Sequence, residues 1–267
     1  MTARLGPLGQ ATGYPDRYDP SLLFAVARAP QRADIGIDGA LPFTGADVWT
    51  AYEHTWLDGR GRPRIAMLSL VVPVNSPYIV ESKSVKLYLG SYAQTRFDDG
   101  GKVKLAIERD LSAATGGAVE VAVLEDARLA PMPGVSIDDE EVSIDGYEVD
   151  PSLLCAAGET VSEILRSDLF RSVCPVTGQP DYASIAIAYR GPRIDRASLL
   201  RYVISFRLHA GFHEHCAERI FVDLAQRCAC ESLTVHARFT RRGGLDINPF
   251  RTNAGVPVPA NVRTPRQ

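Results

Sequence analysis

Leu233-Thr234-Val235-His236-Ala237-Arg238-Phe239-Thr240 places an apolar residue at every second position and a polar one between. That alternation suits an extended strand, with one face for a core and one for water. Upstream, Cys216, Ile220, Leu224 and Cys228 recur at every fourth residue, the spacing of one helix face. Leu199, Tyr202, Val203 and Phe206 mark a helix before it. Residues 161–169 and 182–189 read as strands on either side of a turn at Pro175–Pro180. The C-terminal half therefore reads strand, strand, helix, helix, strand.

The N-terminal half has the same order. Val48, Thr50, Tyr52, His54 and Trp56 alternate as in a strand, and Asp58-Gly59-Arg60-Gly61 is a turn. Residues 65–72 predict a second strand, broken by Asn75-Ser76-Pro77. Val85, Tyr88, Leu89 and Tyr92 predict a helix that Asp98-Asp99-Gly100-Gly101 ends. Val103, Ala106, Ile107 and Leu111 predict another helix, and Val119, Val121 and Val123 a strand.

The halves also share residues. Gly61 and Pro63 correspond to Gly178 and Pro180; Tyr88, Ser91 and Tyr92 correspond to Tyr202, Ser205 and Phe206. The expectation is an α+β protein made by duplication. It has a loop-rich leader over 1–46 with one short helix near Ser21–Ala29. A first module spans 47–126, a linker 127–158 and a second module 159–267. The acidic run Asp138–Glu141 in the linker reads as a solvated loop.

Composition narrows the function. Lys and Arg number 29 against 32 Asp and Glu, a net charge of −3, which argues against a general basic surface for nucleic acid. No apolar run reaches bilayer length, and Met1–Gln10 has no apolar core of a signal peptide. Cys155, Cys174, Cys216, Cys228 and Cys230 are odd in number and unevenly spaced, which suits reduced thiols in the cytoplasm.

The halves differ where chemistry would sit. Lys83 and Lys86 of the first half face Ala197 and Leu200 in the second. Cys174 and Asp181 of the second half fall opposite positions near Leu57 and Arg64. Each half thus reads as holding part of one composite site, against ordinary drift between duplicated halves. Glu81 enters a helix, where it also fits electrostatic capping. Lys83 and Lys86 share a helix face suited to phosphates or simply to water. Cys174 lies in a loop rather than in an apolar stripe, and reactivity would require access and a lowered pKa. Arg241-Arg242-Gly243-Gly244 reads as an anion site or as a basic turn at a strand end. His213-Glu214-His215-Cys216 with Cys228 and Cys230 offers zinc-type donors without a zinc-type spacing. Buried core thiols explain Cys216 and Cys228 better. No Gly-x-Gly-x-x-Gly, Walker A, Gly-x-Ser-x-Gly or His-Glu-x-x-His sequence occurs.

Together these pieces are far more specific. Glu81-Ser82-Lys83-Ser84-Val85-Lys86-Leu87-Tyr88-Leu89 closely resembles the signature of the NADPH-dependent 7-cyano-7-deazaguanine reductases, nitrile reductases of queuosine biosynthesis. Cys174-Pro175 with Asp181, Phe212-His213-Glu214 and Thr240–Pro249 resemble the same family in the same order, from about Tyr14 to Arg251. His215, standing where the family has an acidic residue, is a minor departure. The division of signature and cysteine between halves is similar to the long, bimodular branch. The resemblance implies two tandem tunnelling-fold (T-fold) modules, each an antiparallel sheet with helices on one face, and a homodimer.

Carried over, the resemblance makes Cys174 the nucleophile and Asp181 the proton donor. Val80, Glu81, Ser82, His213 and Glu214 would line the substrate pocket. Ser82, Lys83, Arg242 and Gly243 would contact NADPH, with no metal required. These residue types suit the chemistry. Thiolate addition turns a poor hydride acceptor into a thioimide, and an acid must protonate the nitrogen. Burial would favour the protonated form of that acid. Carboxylates accept the N–H donors of a purine-like edge. Two other readings compete: a zinc-dependent T-fold hydrolase or cyclohydrolase acting on a pterin or purine precursor through the His/Cys donors, and a noncatalytic purine-binding module.

Overall fold

The computed structural model describes residues 13–125 and 128–267; the Met1–Gln10 stretch read above for a signal sequence lies outside them. In chain order the elements are β1 (Ala25–Ala27), α1 (Ala29–Ala33), β2 (Thr44–Leu57), β3 (Pro63–Pro73), β4 (Tyr78–Val80), α2 (Ser82–Gly90), α3 (Gly100–Thr115) and β5 (Glu120–Val123). Then follow β6 (Val135–Ser136), β7 (Ala156–Val173), β8 (Pro180–Ile194), α4 (Arg196–Ser205), α5 (His213–Cys228), β9 (Ser232–Phe239) and β10 (Leu245–Thr252). This is the mixed α+β class that the periodicities predicted. No described helix is long and apolar enough to cross a membrane.

Two compact units form, and neither is contiguous in sequence. The first takes residues 13–30, 48–125 and 241–246; the second takes 31–47, 128–240 and 247–267. In the first, β3 lies between β2 and β5, with Leu68 opposite Val123 in the antiparallel β3–β5 pair. Val85, Tyr88 and Tyr92 pack with Val103, Ile107 and Leu111 as its helical core, all at most 2 % exposed. The Tyr88 hydroxyl donates to the Asp110 carboxylate at 2.8 Å, which satisfies two buried polar groups at once. In the second unit the strand order is β10-β9-β8-β7-β6. Its β7–β8 hairpin is the longest feature, paired from Ala156↔Ile194 to Val173↔Pro180 with two register shifts. Tyr202 donates to Asp223 at 2.6 Å, the counterpart of Tyr88 and Asp110.

The likeness of the halves extends to their hydrogen bonds. Asp19-Pro20-Ser21-Leu22 and Asp150-Pro151-Ser152-Leu153 each form a short 3-10 turn, with the Asp carboxylate accepting from the Ser backbone N–H at 2.9 and 2.8 Å. The next residue but one, Phe24 or Cys155, donates its N–H to a helix hydroxyl, Ser84 at 3.1 Å or Ser198 at 3.2 Å. Its carbonyl accepts from the helix N-cap residue, Glu81 or Asp195, at 2.9 Å in both. The tetrapeptides fall in segments read above as leader and linker, and both turns serve as anchors for the helix that follows.

Several local expectations change. The helix expected near Ser21–Ala29 is instead a 3-10 turn, strand β1 and the short α1. Pro20 and Pro30 interrupt any longer helix there. Asp98–Gly101 does not end α2, which stops at Gly90; Asp99 caps α3 by accepting from Lys102 N–H at 2.9 Å. The polar face of β9 is not uniformly wet: Arg238 is buried, held by Gln267 at 2.8 Å and Asn261 at 2.9 Å. Asp138 is not merely solvated, since it accepts from the Ser167 hydroxyl at 2.6 Å and the Asp168 N–H at 2.9 Å. Strand β10 was not foreseen.

Candidate active site

The β7–β8 hairpin closes over Cys174–Gln179. Cys174 donates its N–H to the Gln179 carbonyl at 2.9 Å and accepts from Gly178 N–H at 3.0 Å, with Gly178 at φ +66°. A positive φ there suits glycine and lets so short a loop close. Cys174 thereby sits at the end of one strand and Asp181 at the start of the next, where Asp181 pairs with Ser172. Both are buried, Cys174 to 8 % exposure and Asp181 to 4 %.

The loop before α5 docks on the same strand end. Val173 donates to His209 carbonyl at 2.9 Å and accepts from Gly211 N–H at 3.2 Å. This brings the first turn of α5, with His213 and Glu214, beside the hairpin. The His213 Nε2 lies 3.4 Å from an Asp181 carboxylate oxygen. Its ring stacks on Phe239, centroids 3.7 Å apart and planes 3° from parallel. Glu214 is 4 % exposed. It sits in the first helical turn, where the helix dipole favours a negative charge. Cys174, Asp181, His213 and Glu214 are thus all buried or half-buried in the second unit.

In the first unit Val80 is buried in β4 and Glu81 is the N-cap of α2. The Glu81 carboxylate accepts from the backbone N–H groups of Lys83 and Ser84, and lies 3.4 Å from the Ser82 hydroxyl. Burial pushes the Glu81 carboxyl up, while those backbone donors and Lys86 pull it back. Ser82 and Lys83 follow, half-buried, on the first turn.

The turn after β9 is also built from local rules. Arg242 and Leu245 exchange backbone hydrogen bonds at 2.8 and 3.3 Å across Gly243 and Gly244, whose φ values are +58° and +79°. Two positive φ angles in a two-residue hairpin loop favour Gly-Gly strongly. Tyr52 anchors this turn three ways: its N–H donates to Gly244 carbonyl at 3.0 Å, its hydroxyl bonds Asp246, and its ring carries the Arg241 guanidinium at 4.7 Å. Lys86 lies alongside, its Cε 3.4 Å from where a Gly243 Cβ would be.

Two family models cover most of this machinery. One, described as "Nitrile reductase, 7-cyano-7-deazaguanine-reductase N-term", matches residues 14–123, and one described as "QueF-like protein" matches 180–256. Proteins named NADPH-dependent 7-cyano-7-deazaguanine reductase are similar over the whole length. That of Bordetella avium is 54 % identical over 98 % of both chains. Those of Burkholderia multivorans and Bordetella pertussis are 53 % and 52 % identical over 100 % of both. The chain belongs to the 7-cyano-7-deazaguanine reductase family. A solved apo archaeosine synthase of the QueF-like kind aligns with 38 % of this chain and 99 % of its own, at 18 % identity and TM-score 0.33, too remote to bear on the fold.

For a member of this family, the remaining thiols have a plain reading. Cys216 and Cys228 lie on the buried face of α5, each 1 % exposed. Burial pushes both up to about 12 and Cys230 up to about 11. Among the described residues no cluster of three or more His, Cys, Asp or Glu is placed to hold a metal ion. Cys216 and Cys228 serve the core of the second unit. Phe239 was read from sequence only as a core residue. Its stacking on His213 joins it to the site, and no local pattern signals that contact.

Proposed function

We propose that this protein reduces the nitrile of 7-cyano-7-deazaguanine to the 7-aminomethyl compound with two NADPH, a step in queuosine biosynthesis. The names of its full-length relatives support the substrate and the cofactor. The observation that carries the mechanism is the pairing of His213 with Asp181 beside the Cys174 loop.

In this mechanism the Cys174 sulfur adds to the nitrile carbon, and the nitrogen takes up a proton from Asp181. The proton lost by sulfur equals the one gained by nitrogen, so Asp181 acts as a relay with no net change. The buried Asp181–His213 pair keeps that proton close to the developing negative charge on nitrogen. Glu214, and Glu81 from the first unit, accept the N–H donors of the purine-like edge. NADPH, when bound, supplies hydride to the carbon. After the first hydride, departure of the Cys174 thiolate would leave an imine; a second hydride on its carbon and a proton on its nitrogen would give the amine, and a further proton, both drawn from solvent, would restore the Cys174 thiol. Exclusion of water protects that imine from hydrolysis. Lys83, Arg242, Gly243 and Ser82 serve the cofactor; glycine backbone beside cationic side chains suits its phosphates.

Both halves are T-fold modules in this reading, working as a cytoplasmic homodimer on a small purine-like ligand without nucleic acid or membrane. The matching clasps at Asp19–Phe24 and Asp150–Cys155 support the tandem repeat.

The test mixes protein and nitrile without NADPH and follows absorbance. A new band from the thioimide is expected in the wild type and absent in Cys174→Ala. A wild type that forms no adduct and oxidises no NADPH with this nitrile would sink the proposal.

A further inference from the structure

The β7–β8 hairpin sets Ser172 directly opposite Asp181 in its antiparallel register. Side chains paired in this way project from the same face with Cβ atoms about 4.5–5.5 Å apart, so the two are neighbours on the sheet. Ala183, two residues on from Asp181, pairs with Phe239 of β9, and His213 lies flat on Phe239. Ser172 therefore shares a face with the Asp181–His213 pair. It is fully buried, and its hydroxyl has no hydrogen-bond partner. The Cys216 thiol of α5 is close by, yet out of hydrogen-bonding geometry. A buried hydroxyl in that condition costs stability relative to alanine, so packing alone gives no reason for a serine here.

We propose that Ser172 is a positioning residue for the proton donor: its hydroxyl turns onto the Asp181 carboxyl during adduct formation and holds it in both protonation states. The inference rests on the proposed reduction and deepens it. In that relay Asp181 alternates between an acid, which can donate, and a carboxylate, which only accepts. A serine hydroxyl accepts from the first and donates to the second by rotation about one bond, with the strand left in place. The carboxylate form needs the help most, because it is a charge at a position only 4 % exposed. A hydrogen bond to a charged group is also stronger than one between neutral groups. His213 approaches Asp181 from α5 and Ser172 from β7, so the two address the carboxyl from different elements. The serine neither gains nor loses a proton; it re-aims a hydrogen bond, and the transfer from sulfur to nitrogen stays balanced.

The assay follows the thioimide band by stopped-flow absorbance in the whole protein, at one pH and without NADPH, over a series of nitrile concentrations. Ser172→Ala is expected to lower the limiting rate by about tenfold or more, while the half-saturating nitrile concentration stays within about twofold. Its urea midpoint should equal or exceed that of the wild type, because no formed hydrogen bond is lost. In an Asp181→Ala background the same replacement should change the remaining rate by less than about twofold, since the hydroxyl then has nothing to hold. A smaller decrease in Ser172→Ala, a urea midpoint that falls with the rate, or a drop that recurs in the Asp181→Ala background overturns the inference. A wild type that forms the band at a rate Ser172→Ala matches fails this inference alone; a wild type that forms no band fails the parent reading along with it.

Discussion

His213 Nε2 stands 3.4 Å from the Asp181 carboxylate while the same ring lies flat on Phe239. One contact fixes the direction of the imidazole and the other its plane. Replacing His213 by Ala removes the partner of a buried acid and should slow adduct formation by about 10²-fold or more. Phe239→Leu keeps an apolar side chain but loses the flat support, and a smaller decrease is expected. Stopped-flow absorbance at a fixed pH measures both. Adduct formation at the wild-type rate in His213→Ala would leave His213 without a part in proton transfer.

Glu81 is predicted to have two duties that separate by assay. Its carboxylate accepts two backbone N–H groups at the start of α2. Glu81→Ala should therefore lower stability by about 1 kcal/mol in urea titrations. If the same carboxylate also receives N–H donors of the substrate, nitrile affinity falls as well. A loss of stability with affinity intact would reduce Glu81 to a cap.

Glu218 lies one turn beyond Glu214 and is gripped by two guanidinium groups, Arg32 at 2.8 Å and Arg251 at 3.0 Å. Arg251 also pairs with Asp47 at 2.7 Å and is fully buried. Glu218→Gln would leave buried positive charge undercompensated, a change that typically costs about 3–5 kcal/mol. Denaturant midpoints should drop steeply. A loss below about 1 kcal/mol would mean that the network relaxes freely.

Burial lowers His54 from 6.5 to about 4. The unfolded chain therefore binds a proton between those values that the folded chain refuses. Stability from this residue is complete above pH 6.5 and is lost as pH falls towards 4. Between pH 7 and pH 5 the loss is about 2 kcal/mol from His54 alone. Urea titrations at both pH values should show a smaller difference in His54→Leu than in wild type. An equal difference would mean that His54 is protonated in the folded protein.

Much of this was legible because local spacing carried it. The four long helices α2 to α5 declared themselves through apolar periodicity, and the Gly243–Gly244 turn through its glycines. Strand β10 did not, because its residues are buried on both faces and several are polar. Asn248 is satisfied by Gln267, Asp246 by Tyr52 and Arg251 by Glu218, partners that lie 19, 194 and 33 residues away in sequence. Such burial is affordable only when distant groups arrive, and no window of sequence contains them. The candidate catalytic residues were reached through family resemblance; their meeting depends on the Val173–Ala210 bridge, which leaves no local trace. The identical Asp-Pro-Ser-Leu tetrapeptides, by contrast, were readable and mark corresponding points in the two halves.

Those clasps persist on both sides even though Lys83 and Lys86 are matched by Ala197 and Leu200. Upkeep of the scaffold and the placing of cations on its helix are thus separable inheritances. A gene that doubles such a unit can let one copy drift in its charged positions while the hinge-pin hydroxyls keep it upright. Ala197 and Leu200 are then natural places to reinstate a second cationic pair and ask whether the cysteine-bearing sibling tolerates the charges that the other carries.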